Sequence, residues 1–124
     1  MVKFFICDTC GNFIELIKDK GGPLNCCGKS MTLLEANTVE ASTEKHLPEV
    51  TQTENGIKVK VGSVPHPMEE KHYIEFIYIK TEKGGQLIKL EAGDAPEAVF
   101  CLINDKPVEV YEYCNLHGLW KVAL

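Results

Sequence analysis

Four of the six cysteines lie within residues 7–27, and they constrain the fold of the N-terminal part of the chain more than any other feature. They form two pairs, Cys7 with Cys10 and Cys26 with Cys27. Between the two pairs lie a short apolar run, Phe13 to Ile17, and a turn with Gly21-Gly22. A segment this short cannot bury enough apolar surface to fold by itself, so it needs a crosslink. A site of four thiolates around one metal ion would provide that crosslink.

The vicinal pair of cysteines requires an unusual backbone. Adjacent side chains in an extended chain point to opposite faces, so Cys26 and Cys27 reach one metal only where the chain turns sharply. Gly28 favours such a turn. Four thiolates suit either zinc or iron, and their spacing does not decide between the two. A vicinal disulfide or a Cys7–Cys10 redox pair are the alternatives.

Composition narrows the class of protein. The chain has 124 residues, 44% of them hydrophobic, and a formal net charge of −5. No apolar run reaches the roughly 18 residues of a membrane span, and the N-terminus does not have the pattern of a signal peptide. We therefore expect a cytoplasmic protein, in which cysteines serve metal or redox chemistry more often than disulfides. The negative charge argues against nucleic acid as a partner.

The rest of the chain has the pattern of an all-β domain. Residues 36–48 read as a connector that ends at Pro48, and from Glu49 onward apolar residues alternate with a period of two. Asn55-Gly56 is a strong hairpin signal. Further strands are predicted at His72–Ile79, Gln86–Leu90, Glu97–Ile103, Pro107–Cys114 and Trp120–Leu124. About seven short strands separated by turns predict an antiparallel β-sandwich.

All four histidines and one more cysteine form a second candidate metal set. They are His46, His66, His72 and His117, with Cys114 three residues before the last of them. Each histidine lies at a predicted junction between a loop and a strand, and prolines on both sides of His66 fix its backbone. Imidazole and thiolate together suit iron, copper or zinc. A blue-copper loop would continue to a methionine, which the run Gly118 to Lys121 lacks, and attached haem would need a Cys-x-x-Cys-His run.

Four separate motifs together resemble the desulfoferrodoxin family, the two-iron class of superoxide reductases. The motifs are Cys7-x-x-Cys10 with Cys26-Cys27, Glu44-Lys45-His46-x-Pro48, His66-Pro67-Met68-Glu69-Glu70-Lys71-His72, and Tyr113-Cys114-Asn115-Leu116-His117-Gly118. The resemblance runs in register over nearly the whole chain, and no ligand position departs from the family pattern.

This resemblance implies two domains and two iron ions per chain. Residues 1–36 would form a desulforedoxin-like domain, and residues 37–124 an immunoglobulin-like antiparallel β-sandwich, usually in a homodimer. The first iron would be a ferric S4 centre held by Cys7, Cys10, Cys26 and Cys27. The second would be a ferrous, square-pyramidal centre, with His46, His66, His72 and His117 in the plane and Cys114 as the axial ligand.

The resemblance also implies the reaction, which is one-electron reduction of superoxide to hydrogen peroxide without release of O2. Lys45 would steer the anion to the site and help to organise protons, and Glu44 would bind the oxidised iron after turnover. A rubredoxin is the implied electron donor. The alternatives are a non-catalytic electron carrier or redox sensor, and an interaction module stapled by zinc.

Two residues outside these motifs carry separate expectations. Cys101 lies in the apolar run Ala98 to Leu102 and reads as a small buried hydrophobic residue. Glu112 has the same strand parity as Cys114, so it either reaches the surroundings of the sulfur or is a solvated strand residue.

Overall fold

The computed structural model describes residues 2–124, and the chain divides into two compact units, residues 1–35 and 36–124. The first unit contains five short strands: β1 Phe4–Ile6, β2 Phe13–Glu15, β3 Asn25–Cys26, β4 Lys29–Ser30 and β5 Thr32–Leu33. Strands β2, β1 and β5 form one antiparallel sheet in that order, and β3 pairs with β4 as a separate hairpin. Each piece is too short to be stable without the crosslink that the cysteines would provide.

The second unit contains one helical turn and seven strands. They are α1 Thr43–His46, β6 Pro48–Thr53, β7 Gly56–Val61, β8 Ile74–Thr81, β9 Gly85–Lys89, β10 Glu97–Cys101, β11 Pro107–Cys114 and β12 Gly118–Ala123. One antiparallel sheet has the order β10-β7-β6, and the other has the order β12-β11-β8-β9. Three strands facing four is the arrangement of constant-type immunoglobulin domains. The prediction of an all-β chain with a β-sandwich is confirmed.

The core of the second unit lies between these two sheets. Alternate residues of each strand point inward, as a period of two requires. The inward residues include Ile57, Val59, Val61 and Phe100 from one sheet, and Ile77, Ile79, Val110 and Cys114 from the other. Cys114 therefore extends the apolar core to the end of β11, where the candidate metal set begins.

The interpretation of Cys101 was wrong, because this cysteine is exposed. On β10 the buried residues are Ala98 and Phe100, whereas Val99 and Cys101 point outward. The run is apolar on both faces, but only one face of β10, which lies at the edge of its sheet, meets the core.

The structure also corrects the prediction that residues 36–48 are only a connector. Thr43–His46 forms a single helical turn there, which sequence patterning cannot detect at this length. Leu47 is extended, with φ −69° and ψ 128°, as expected for a residue before proline. No helix within residues 2–124 is long and apolar enough to cross a membrane.

Candidate metal centres

The structure brings the five residues of the second candidate set together at one end of the sandwich. One donor atom from each residue lies within 4.8 Å of all the others. The five residues are His46, His66, His72, Cys114 and His117. They come from four places in the chain, namely the end of α1, the loop before β8, the end of β11 and the turn between β11 and β12.

Backbone carbonyls orient two of the imidazoles. His46 Nδ1 lies 2.7 Å from Ser42 O, and His66 Nδ1 lies 2.6 Å from Pro67 O. Since a carbonyl oxygen only accepts, each Nδ1 carries the proton and donates it. The Nε2 atom of each ring is then unprotonated and carries a lone pair, which a metal ligand needs.

The four rings follow one another in a closed cycle. His46 and His66 have interplanar angle 79°, His66 and His72 81°, His72 and His117 79°, and His117 and His46 87°. Neighbouring rings are therefore nearly perpendicular, with centroids 4.7–5.1 Å apart. This arrangement lets each ring present one nitrogen to a shared centre without a clash between rings.

The donor atoms face one another in a way that fits a metal cation. His66 Nε2 lies 3.2 Å from His46 Nε2, and these are two lone pairs that repel without a cation between them. His46 Nε2 lies 3.1 Å from His117 Nδ1. Two nitrogens at right angles on a metal about 2.1 Å away would lie about 3.0 Å apart. His72 Nε2 is buried and has no hydrogen-bond partner in the part of the chain that the structure describes. A bond to a metal would satisfy this nitrogen.

Burial strongly affects the protonation of the residues in this five-donor group. It lowers the pKa of His46, and it lowers the pKa of His66 to about 4, so both imidazoles are neutral at pH 7. Burial raises the pKa of the Cys114 thiol, while the backbone amides of Leu116 and His117 donate to the sulfur and lower it. A cation is the remaining group needed to make this thiol a thiolate.

Glu44 and Lys45 lie on α1, immediately before His46. Lys45 is half-buried, and its positive charge contributes to the lowered pKa of His46. Glu44 is exposed, and within residues 2–124 its carboxylate is not part of the five-donor group. Two donors from the following loop, Val64 N and Ser63 Oγ, bond to the Glu44 carbonyl oxygen at 3.1 and 3.2 Å.

Two residues that the sequence did not single out contact this site. The Trp120 ring stacks on His46 with centroids 5.0 Å apart, and its indole nitrogen donates to His117 O at 3.0 Å. The Asn115 side chain bonds to the backbone on both sides of His72. Asn115 lies inside the Cys-x-x-His motif, but nothing in the spacing distinguishes it from a linker residue.

Glu112 is neither solvated nor bonded to the sulfur. It is fully buried, and within residues 2–124 neither of its carboxyl oxygens has a hydrogen-bond partner. Burial raises its pKa well above the ordinary value of 4.5.

The first unit brings its four cysteines together as the pairing predicted. The sulfur atoms of Cys7, Cys10, Cys26 and Cys27 all lie within 4.8 Å of one another. Cys27 and Gly28 have φ of 53° and 74° and form the tight turn of the β3–β4 hairpin, as in a type I′ turn. This turn aims adjacent side chains at the same centre.

The thiols of this cluster also fit a metal. The Cys10 backbone amide lowers the pKa of Cys7 to about 6. Hydrogen bonds with Cys7 and Cys10 raise the pKa of Cys26 to about 12. Crowding therefore prevents all four sulfurs from ionising together unless a cation neutralises them. The amides of Cys10 and Asn12 already donate to sulfur, at 3.4 and 3.5 Å.

Comparison with known proteins decides the family. The Desulfoferrodoxin family model matches residues 38–123, and the model of the desulfoferrodoxin N-terminal domain matches residues 2–34. The chain belongs to the desulfoferrodoxin family. Both cysteine and histidine clusters fall inside the matched regions, and their donor sets are consistent with two iron ions per chain.

Individual relatives cover almost the full chain. A desulfoferrodoxin from Syntrophotalea carbinolica is 50% identical over 119 residues, which is 96% of this chain and 94% of that protein. One from Nitratidesulfovibrio vulgaris is 49% identical over the same fractions. The crystal structure of the superoxide reductase from Treponema pallidum matches with TM-score 0.83 and 38% identity, covering 98% of each chain.

Proposed function

We infer that the chain is a superoxide reductase, which adds one electron and two protons to superoxide and forms hydrogen peroxide. The observation that carries this inference is the group of four imidazoles and one cysteine, whose donor atoms lie within 4.8 Å of one another. It is supported by membership of the desulfoferrodoxin family and by the structural match to a superoxide reductase. Five donors also exceed the four of a closed structural zinc site.

We propose that these five residues hold the catalytic iron. When bound, the ferrous ion would supply the electron that reduces superoxide. The protein's own part is to fix the tautomers of His46 and His66 through Ser42 O and Pro67 O, and to hold Cys114 beneath two backbone amides. Neutral imidazoles leave the charge of the iron largely uncompensated, which favours an anionic substrate over the −5 charge of the chain.

We propose Glu44 and Lys45 as the catalytic pair beside this centre. The ammonium of Lys45 acts on His46 electrostatically, so it adds positive potential where superoxide must arrive. The carbonyl of Glu44 is fixed by two hydrogen bonds from the 63–64 loop, which keeps its exposed carboxylate within one turn of His46.

The remaining assignments concern the whole protein. We propose that residues 1–36 hold the second, S4 iron and that residues 37–124 carry the reaction. We further propose a rubredoxin-like electron donor, a cytoplasmic location and a homodimer. Metal binding by the two clusters needs reduced cysteines, which a reducing compartment maintains. Exposed Leu87, Val99 and Ile103 support an interface at the edges of the sandwich.

Pulse radiolysis of the reduced protein tests the role of Lys45. Lys45→Ala should slow the reaction with superoxide by roughly tenfold and flatten its dependence on salt, because the local positive potential is lost. Lys106→Ala is the matched control, since it removes the same charge at the other end of β11, about 26 Å along the strand and well beyond the screening length. Equal rates and salt slopes for both variants and the unmodified protein would refute the role of Lys45.

A further inference from the structure

Asn115 occupies a point where two strands stop pairing in the regular way. The register of β11 and β8 runs from Tyr113 opposite Phe76 to Cys114 opposite Ile74, so Glu75 is an extra residue in β8. The next pair would be Asn115 with Tyr73. The Asn115 backbone still donates to Tyr73 O at 3.2 Å, but the chain of residues 115–117 then turns away toward His117.

The Asn115 side chain completes the pairing that the backbone abandons. Its Oδ1 accepts from Tyr73 N at 3.0 Å, and its Nδ2 donates to Lys71 O at 3.0 Å. A carboxamide has the same acceptor and donor as a peptide group. It can therefore bond to the neighbouring strand as backbone would, while the true backbone leaves to form the Cys-x-x-His turn.

These bonds enclose His72. Its own amide and carbonyl bond to Glu69 O and Glu69 N at 3.0 and 2.9 Å. Asn115 holds the residue before it and the residue after it. Within residues 2–124 the His72 ring makes no hydrogen bond like those that carbonyl oxygens accept from Nδ1 of His46 and His66. The position of the His72 imidazole therefore depends more on its backbone.

We propose that Asn115 is a positioning residue, which couples His72 to the loop that carries Cys114 and His117. Through this one side chain, three of the five donors keep a fixed mutual position. Asp can accept from Tyr73 N but cannot donate to Lys71 O, Ala can do neither, and Gln is longer by one methylene group. The inference rests on the proposed ligand set, and its test does not use superoxide.

The chain offers a matched control. Asn37 makes the same three bonds elsewhere in the second unit: its backbone amide donates to Leu119 O, its Nδ2 donates to Lys121 O, and its Oδ1 accepts from Lys121 N. Asn37→Ala removes the same kind of side-chain clamp without touching the backbone of His72. A purely structural role for Asn115 predicts that the two variants behave alike.

The experiment measures iron release from the iron-loaded protein to a ferrous chelator, together with the visible and electron paramagnetic resonance spectra of the oxidised second centre. For Asn115→Ala we expect release of one iron to accelerate roughly 10-fold to 100-fold, the usual effect of losing support around a metal ligand, and the spectra to change. Asn115→Asp is isosteric and keeps one bond, so its rate of iron release should lie between those of Asn115→Ala and the unmodified protein. Hydrogen exchange at the Tyr73 amide should increase in Asn115→Ala and stay near the unmodified rate in Asn115→Asp, whose carboxylate still accepts from Tyr73 N.

Asn37→Ala should release iron at the unmodified rate and keep the unmodified spectra, even where its melting temperature falls as far as that of Asn115→Ala. Iron release and spectra that are unchanged in Asn115→Ala and Asn115→Asp would overturn the proposal. So would an Asn37→Ala variant that loses iron as fast as Asn115→Ala does. A lack of superoxide reduction in the unmodified protein would refute the proposed function and leave these comparisons valid.

Discussion

At the scale of single residues, Glu112 has the least favourable environment in the second unit. Glu112 is fully buried and lies opposite Ile77 and Trp120 on the neighbouring strands, and no group of residues 2–124 donates to its carboxyl. Burying a carboxylate without a partner is costly, so the group is protonated over a wider pH range than usual. The folded chain consequently binds a proton that the unfolded chain releases above about pH 4.5.

This imbalance makes stability depend on pH. A carboxyl whose folded-state pKa is raised stabilises the fold fully below its unfolded pKa, and that contribution is lost as the pH rises toward the folded pKa. Glu112→Gln removes the titration and keeps the shape. We expect the melting temperature of Glu112→Gln, relative to the unmodified protein, to be higher at pH 8 than at pH 5. A difference that does not vary between these pH values would show that Glu112 is ionised in the fold.

At the scale of elements, the turn α1 is fastened to the loop after β7. Leu47 O accepts from Gly62 N, and Glu44 O accepts from Val64 N, at 3.1 Å each. Gly62 has φ +85°, and a Cβ there would meet the carbonyl oxygen of Val64 in the loop itself, and would lie 2.7 Å from Glu44 O and 2.8 Å from the carbonyl carbon of Lys45 in α1. Only glycine permits this close approach, which holds Glu44, Lys45 and His46 against the loop leading to His66.

Gly62→Ala should therefore destabilise the protein by about 2–4 kcal/mol, of which about 1 kcal/mol is the strain of a positive φ. It should also slow the reaction with superoxide, since Lys45 is displaced. Gly93→Ala is the control, because Gly93 has φ +93° with nothing within 4 Å of the added Cβ. Urea unfolding measures the free energy of unfolding of both variants. Equal destabilisation by the two substitutions would mean that the backbone of the loop and of α1 moves aside for the added methyl group, and would contradict this close packing.

The strands also show which element bounds can be predicted from sequence patterning. Pro107–Cys114 was predicted with the bounds that β11 has, because alternation and a leading proline mark both its face and its start. The strand after His72 begins two residues later than predicted, at Ile74, because Glu69 and the Asn115 side chain take the hydrogen bonds of His72 and Tyr73. The bond from Tyr73 to Asn115 joins residues 42 positions apart, and no local pattern contains it.

The metal clusters were more predictable than the edges of the sheets. Cysteine and histidine at short spacings indicate a ligand set directly, and the resemblance to desulfoferrodoxins assigned every member. Cys101 could not be assigned in this way, because the apolar run around it does not reveal which face of β10 meets the core. The burial of Glu112 escaped prediction for a related reason, since its charge suggests solvent while its parity places it inside.

At the scale of the whole molecule, the two clusters lie in separate compact units. A variant that lacks one N-terminal cysteine should therefore lose the first iron and its colour without losing the second centre. For Cys10→Ser we expect the single-turnover rate of the pre-reduced protein with superoxide to stay within about twofold of the unmodified rate, because superoxide reacts at the second centre. Stopped-flow or pulse radiolysis gives this rate. A tenfold loss would make the first centre part of the reaction.

The central claim is that the five-donor site reduces superoxide and does not dismutate it. The most direct test is the stoichiometry of a single turnover, in which the pre-reduced protein is mixed with a limiting amount of superoxide. Reduction predicts one hydrogen peroxide formed and one second-centre iron oxidised for each superoxide consumed, with no O2 released. Half an equivalent each of peroxide and O2 per superoxide, with the iron still reduced, would contradict the account.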